Sequence, residues 1–244
     1  MKAILFSAGL GSRLKPLTLH RPKALVEING KTLLERNIAY LQQHGITDVI
    51  VNVHHYASQI IDAVNYNKGW GSNIAISDET DALLETGGGL KKAAWFFEGE
   101  EDFVVMNTDI LTNMPLTSMI AQHQKQKPLA TLAVSERSTS RYFLFNEANS
   151  LCGWRNVSTL EEKGPVLAFE PQQKKALKQL AFSGIHVIST RLFPLMQQEG
   201  KFSMVEVYLD LCASNRINSF NHTGSILVDV GKPESIEKAE SIFM

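Results

Sequence analysis

Short, almost purely apolar runs alternate with stretches of helical period along the first half of the chain. Lys2–Ser7 carries Ala3, Ile4, Leu5 and Phe6 without a polar interruption, which suits a strand buried on both faces. Leu33, Leu34, Ile38 and Leu41 then recur at helical spacing, with Gly45 as the stop. The alternation continues through Asp48–Asn52 as a strand, Ser58–Asn67 as a helix, Ile74–Ser77 as a strand, Leu90–Phe97 as a helix and Phe103–Met106 as a buried strand. Leu116–Gln126 and Ala130–Val134 extend it by one more helix and strand. Strand, helix and strand in this order build crossover units around a parallel sheet.

After Ser135 the pattern changes. Tyr142–Phe145 and Leu151–Trp154 are short and separated by turn residues, so a hairpin-like insertion is expected there, and Asn156–Lys178 is polar and reads as loop with one short helix. Order returns with Ala181–Ile188 as a strand, Met204–Ser214 as a helix, Ile217–Asn221 and Ile226–Val230 as strands, and Pro233–Phe243 as a closing helix with proline in its first turn. There is no internal repeat and no low-complexity linker. The expectation is a single α/β domain over 1–244, a Rossmann-like αβα sandwich with a mixed, mostly parallel central sheet. Its first part spans about 1–135, a second part with a small β insertion about 136–230, and the closing helix 233–243.

Composition narrows the function classes. With 44% hydrophobic and 20% charged residues over 244 positions, the chain has the makeup of a soluble globular protein with a sizeable core. Lys plus Arg (24) nearly equals Asp plus Glu (25), so no basic field draws in nucleic acid and any phosphate binding has to be local. Cys152 and Cys212 share no metal-ligand spacing and make no disulfide framework, which fits a reducing cytoplasm. The apolar start is too short for a signal peptide and runs into glycines, and no stretch reaches the roughly 18 uncharged apolar residues of a membrane helix. A cytoplasmic protein with no membrane or nucleic-acid partner is expected. A homodimer is neither required nor excluded.

The chemistry begins directly after the first strand, at Ser7-Ala8-Gly9-Leu10-Gly11-Ser12-Arg13-Leu14-Lys15-Pro16-Leu17-Thr18. Glycines here let backbone N–H groups approach phosphate oxygens, and Arg13 adds a fork of donors. The third glycine of a dinucleotide fingerprint is missing, and no Gly-Lys-Ser/Thr of a Walker loop follows. Two glycines after a strand make only a tight turn in most chains, but Arg21-Pro22-Lys23 adds a second basic pair held by a rigid proline. Asn107-Thr108-Asp109 closes a buried strand, where open α/β sheets bind ligands and where a hard oxygen suits Mg²⁺, although an Asp after a strand is on its own more often a helix cap or turn former. Val228-Asp229-Val230-Gly231 sets a second carboxylate in an apolar run, where a charge needs a partner or a metal. Leu84-Glu85-Thr86-Gly87-Gly88-Gly89 opens a helix with glycines that permit close approach to a base or sugar, a flexible hinge being the alternative.

These motifs resemble the sugar-phosphate nucleotidylyltransferases, whose signature is a Gly-x-Gly-x-Arg-x-x-Pro-x-Thr loop followed by a Pro-Lys pair. Gly9, Gly11, Arg13, Pro16, Thr18, Pro22 and Lys23 match every fixed position. The resemblance implies the nucleotidyltransferase variant of the fold and Mg²⁺-dependent transfer of a nucleoside monophosphate from a nucleoside triphosphate to a sugar 1-phosphate. It implies catalytic Arg13 and Lys23, Mg²⁺ on Asp109 and Asp229, and nucleotide contacts from Ala8, Gly9, Gly11, Ser12, Arg13, Glu79, Thr86, Gly87 and Gly88. Sugar-phosphate contacts fall to Lys23, Asn107, Ser183 and Gly184, the last two on the strand Phe182-Ser183-Gly184-Ile185.

Many members carry a Glu-Lys-Pro segment at the sugar, but the comparable place here is Gly153-Trp154-Arg155-Asn156, so Arg155 is expected as the phosphate donor. In its compact length and its Glu-Thr-Gly-Gly-Gly loop the chain looks most like N-acetylmuramic acid 1-phosphate uridylyltransferases, with mannose or heptose 1-phosphate guanylyltransferases sharing much of the pattern. A glycosyltransferase would show Asp-x-Asp where Asn107-Thr108-Asp109 stands. A regulatory, non-catalytic relative would lose the loop arginine or the carboxylates, all of which are kept.

Overall fold

A computed structural model describes all 244 residues. In chain order the strands are β1 (Ala3–Phe6), β2 (Glu27–Ile28), β3 (Lys31–Thr32), β4 (Asp48–Val53), β5 (Asn73–Asp78), β6 (Asp102–Asn107) and β7 (Ile110–Thr112). They continue with β8 (Ala130–Ser135), β9 (Arg141–Phe145), β10 (Leu151–Asn156), β11 (Glu161–Lys163), β12 (Lys178–Ser189), β13 (Ile217–Asn221) and β14 (Leu227–Asp229). The helices are α1 (Leu33–Gln43), α2 (Ala57–Tyr66), α3 (Glu85–Lys92), α4 (Leu116–Gln126), α5 (Pro171–Lys175), α6 (Met204–Leu211) and α7 (Glu234–Ile242).

One ten-stranded sheet runs in the order β11-β10-β9-β12-β6-β1-β4-β5, with β8 joined to β12 and β13 to β8. Its centre is parallel: β1 lies between β4 and β6, and β5 flanks β4. Helices cover both faces. The inward residues of α1, α2 and α4 pack on Leu5, Val51 and Val104, whereas Leu90 of α3 and Val207 and Tyr208 of α6 pack on Ile4, Ile50 and Val105. Successive strand residues feed opposite cores, which is why these strands read as unbroken apolar runs. A small third cluster, Val26, Ile28, Leu33, Val228 and Ala239, seats α7 against β14.

β12 lets the sheet branch. Its first residues pair with β9 and its last with β6, while β8 accompanies it past a register shift between Phe182 and His186. Gly184 lies in that shift at φ +72°, a conformation that glycine adopts without strain.

The short strands β2, β3 and β7 form where the sequence pattern suggests none, and two longer segments also depart from the sequence expectation. The helix expected over Leu90–Phe97 starts earlier, at Glu85, and ends at Lys92, followed by a 3-10 turn Ala94–Phe97. The segment Asn156–Lys178, expected as loop and one helix, also holds β11, and β12 begins at Lys178. β11 is an edge strand of Glu161, Glu162 and Lys163, held by cross-strand pairing and charge, so it carries no apolar signal.

Candidate active site

The carboxyl ends of β1, β4 and β6 open into a cavity of about 700 Å³. Its wall is the loop Ser7–Arg13, with Lys23, Asn52, Leu83, Glu85, Thr86, Asn107, Thr108, Asp109, Arg141 and Gly231.

The loop is pinned by its own signature residues. Gly11 turns at φ +62° and opens a 3-10 turn Ser12–Leu14; its carbonyl accepts hydrogen bonds from the Leu14 N–H at 2.9 Å and the Thr18 hydroxyl at 2.8 Å. A Cβ at this position would stand 3.0 Å from Thr18 Cγ2 and 3.1 Å from Lys23 Cβ. Gly11, Thr18 and Lys23 are therefore fixed positions because they touch. Pro22 holds an extended backbone that leads into the turn Lys23–Leu25, and Lys23 Nζ forms a short ion pair with Asp109 Oδ2.

Asp109 follows β6, and the short β7 after it pairs antiparallel with β14 so that Asp229 lies opposite Ile110. The Val230 N–H donates to the Asp109 carbonyl at 2.8 Å, bringing the two aspartates side by side. Burial and then the charge of Asp109 push the Asp229 carboxyl above its ordinary range, against the pull of Lys23 and Arg13. A Cβ on Gly231 would stand 2.6 Å from Asp229 Oδ1 and 3.0 Å from Arg13 Nη2, so the carboxylate and the guanidinium flank the same glycine. Two adjacent carboxylates, one penalised by the other's charge, form a hard-oxygen donor set that suits a divalent cation.

Of the residues singled out from sequence, Ala8, Gly9, Gly11, Ser12, Arg13, Lys23, Thr86, Asn107 and Asp109 line this one cavity, and Asp229 adjoins it across Gly231. The others lie behind the wall. The Gly87 and Gly88 N–H groups both donate to the Phe202 carbonyl, and a Cβ on either would strike the Gly200–Phe202 segment. Their bareness serves helix packing, not a base. Glu79 is fully buried, bonded to Asn52 and the Leu84 N–H. Ser183 bonds His222 at 2.8 Å, and a Cβ on Gly184 would come within 2.8 Å of Asn107 Nδ2, so Gly184 makes room for Asn107.

Arg155 is the clearest correction. Cross-strand register puts it opposite Tyr142 and Glu162, on the sheet face away from Arg141. There Nε and Nη2 both donate to Glu162 Oε1, at 2.8 and 2.6 Å, and Lys174 takes the other oxygen. The second arginine that lines the cavity, besides Arg13, is Arg141, which sequence reasoning missed. The sequence holds only a partial sign of it: Arg141 extends the face of Phe143 and Phe145, so a cation breaks an otherwise apolar row, but which cavity that face meets is set by register.

The family described as nucleotidyl transferase matches residues 2–243. An N-acetylmuramate alpha-1-phosphate uridylyltransferase of Neisseria meningitidis is 28% identical over 99% of this chain and 98% of its own length. A mannose-1-phosphate guanylyltransferase catalytic subunit beta of Dictyostelium discoideum is 26% identical over the whole of this chain, which spans 65% of that relative. Among solved structures, the Yersinia pseudotuberculosis protein HddC, in complex with GMP-PN, superposes with a TM-score of 0.77 at 22% identity, over 100% of this chain and 99% of the other.

Proposed function

The chain belongs to the nucleotidyl transferase family, and from that premise we propose that it transfers a nucleoside monophosphate from a nucleoside triphosphate to a sugar 1-phosphate, releasing pyrophosphate. The observation that carries this reading is the meeting of Arg13, Lys23 and Asp109, from three separate segments, in one cavity beside a glycine-rich loop. One continuous sheet through both halves supports treating residues 1–244 as one unit.

No protein nucleophile is needed. An acceptor phosphate oxygen, already anionic, attacks the α-phosphorus, and the bond from that phosphorus to the bridging oxygen of pyrophosphate breaks. The work of the protein is positioning and charge neutralisation. Arg13 and the amides of Gly9–Ser12 hold the departing pyrophosphate, and Lys23 exchanges Asp109 for the attacking phosphate. Asn107 and Arg141 hold the sugar phosphate from the other side, and the Leu83–Thr86 segment borders the base. Asp109 and Asp229 would hold Mg²⁺, which supplies neutralisation of the α-phosphate oxygens when bound.

UTP and N-acetylmuramic acid 1-phosphate are the substrates proposed, on the support of the Neisseria uridylyltransferase at 28% identity over 99% of this chain. A cytoplasmic enzyme fits these substrates, and no helix is long and apolar enough to cross a membrane. Pyrophosphate release from UTP, GTP, CTP and ATP, each with N-acetylmuramic acid, mannose and glucose 1-phosphates plus Mg²⁺, tests the reading. UTP with the muramic acid phosphate should be fastest. GTP with mannose 1-phosphate in its place would move the substrate assignment, and silence in every pairing would leave a sugar-nucleotide-binding regulator.

A further inference from the structure

A row of buried polar groups crosses the sheet behind the cavity. The Ser7 N–H, in the phosphate loop, donates to Asn52 Oδ1 at 2.6 Å; Asn52 Nδ2 donates to Glu79 Oε1 at 2.8 Å; and Glu79 Oε2 accepts from the Leu84 N–H at 3.4 Å. Ser7, Asn52 and Glu79 are 5%, 2% and 0% exposed, so water cannot replace a missing partner. On the other side the Ser7 hydroxyl shares a 2.7 Å hydrogen bond with Thr108, the neighbour of Asp109. The row thus runs from the residue beside the metal-binding carboxylate, through the start of the phosphate loop, to the start of the Leu84–Thr86 segment.

We infer that Glu79 is a positioning residue for the nucleotide, holding the phosphate loop and the Leu84–Thr86 segment at a fixed separation through Asn52. The inference rests on the reading of the cavity as a nucleoside triphosphate site. Donor counting makes it specific. Two backbone N–H groups close the ends of the row, and between them Asn52 offers one acceptor and one donor while Glu79 offers two acceptors, so all three bonds are made. Glu79→Gln replaces one acceptor with a donor. However the two amides then flip, one N–H in the row faces another. Asn52→Asp fails for the opposite reason, setting two carboxylates against each other. The double variant moves the carboxylate one residue along, keeps the net charge and restores all three bonds.

The experiment measures equilibrium binding of UTP and of GTP with Mg²⁺ and no sugar, steady-state KM and kcat where turnover exists, and amide hydrogen exchange of the free protein. Glu79→Gln should weaken binding of the preferred triphosphate about tenfold, the factor matching one unmade buried hydrogen bond. KM for the sugar phosphate should hold, and exchange should quicken both at 7–13 and at 80–86. The double variant Asn52→Asp, Glu79→Gln should recover affinity and protection.

Gly89→Ala is a second probe, needed if the single variants fold poorly. Its Cβ would stand 2.6 Å from Glu79 Oε1 and 3.0 Å from Asn52 Nδ2. Alanine in a helix ordinarily stabilises relative to glycine, so weaker triphosphate binding there points at the row. Unchanged binding in Glu79→Gln and Gly89→Ala, or a double variant no better than either single, overturns the inference. If wild type binds neither triphosphate, the nucleotide reading itself fails, while coupled exchange of the two segments still reports whether the row links them.

Discussion

The two sides of the cavity are built by different means. On the side proposed for the triphosphate the wall is a glycine-rich loop after a central parallel strand, pinned by Gly11, Thr18 and Lys23, which meet within a short stretch of chain. On the side proposed for the sugar the wall is antiparallel, β9 to β12, and what reaches the cavity is a long side chain, Arg141, whose aim is set by which face of the sheet its strand presents. A backbone-built site announces itself through glycine and proline, because only those residues satisfy its geometry. A side-chain-built site depends on cross-strand register, which no local motif encodes.

The contrast breaks first at the carboxylates between the two sides. Asp109→Asn should lower kcat by about 100-fold or more, since it removes one of the two carboxylates that would hold a cation against the reacting phosphate, with the far-UV circular dichroism unchanged; near-normal pyrophosphate release would remove the metal assignment. Asp229→Asn should cost turnover similarly yet raise stability. Because burial and Asp109 raise the Asp229 carboxyl in the fold, its contribution to stability is present at low pH and lost as pH rises through the raised value, so the neutral asparagine is favoured at pH 7. The gain should stay below about 1 kcal/mol, as solvent screens this partly exposed group. A melting temperature that falls would show that Asp229 is already paired.

The second break separates the two arginines. Arg141→Ala should raise KM for the sugar phosphate about tenfold and leave KM for the triphosphate alone, the scale of one charge-assisted hydrogen bond. Arg155→Ala should change neither. If Arg141→Ala acted on the triphosphate instead, the division of the cavity would be wrong.

The same contrast explains what was legible in the sequence. β1, β4 and β6 read correctly because strands buried on both faces are continuous apolar runs, and the Gly9–Thr18 loop stood out because its fixed residues make contact in the fold. The motif Gly87–Gly89 misled because glycines that admit a ligand and glycines that admit a neighbouring chain look alike; here Phe202 and Glu79 occupy the space. β11 was invisible because Glu161, Glu162 and Lys163 bury little. Arg155 and Arg141 differ by face, and a register cannot be counted across a turn whose length is unknown.

The smallest expected effect is the stability of Arg155→Ala. Arg155 and Lys174 converge on Glu162 at the sheet edge, with side chains 23%, 25% and 17% exposed. Hydrogen bonds from Lys174 first and then Arg155 hold the Glu162 carboxyl below its usual range. Loss of Arg155 leaves Lys174 in place, so the cost should be about 0.5–1 kcal/mol, as for a pair near the surface, or a few degrees in Tm. The sign with pH follows from the lowered carboxyl: its stabilisation is present above the unfolded value near pH 4.3 and is lost as pH falls through the lower folded one. The Tm difference between wild type and Arg155→Ala should therefore be clear at pH 7 and close towards pH 3. A difference that persists at pH 3 would assign the effect to packing of the arginine stem on β10 instead of its charge.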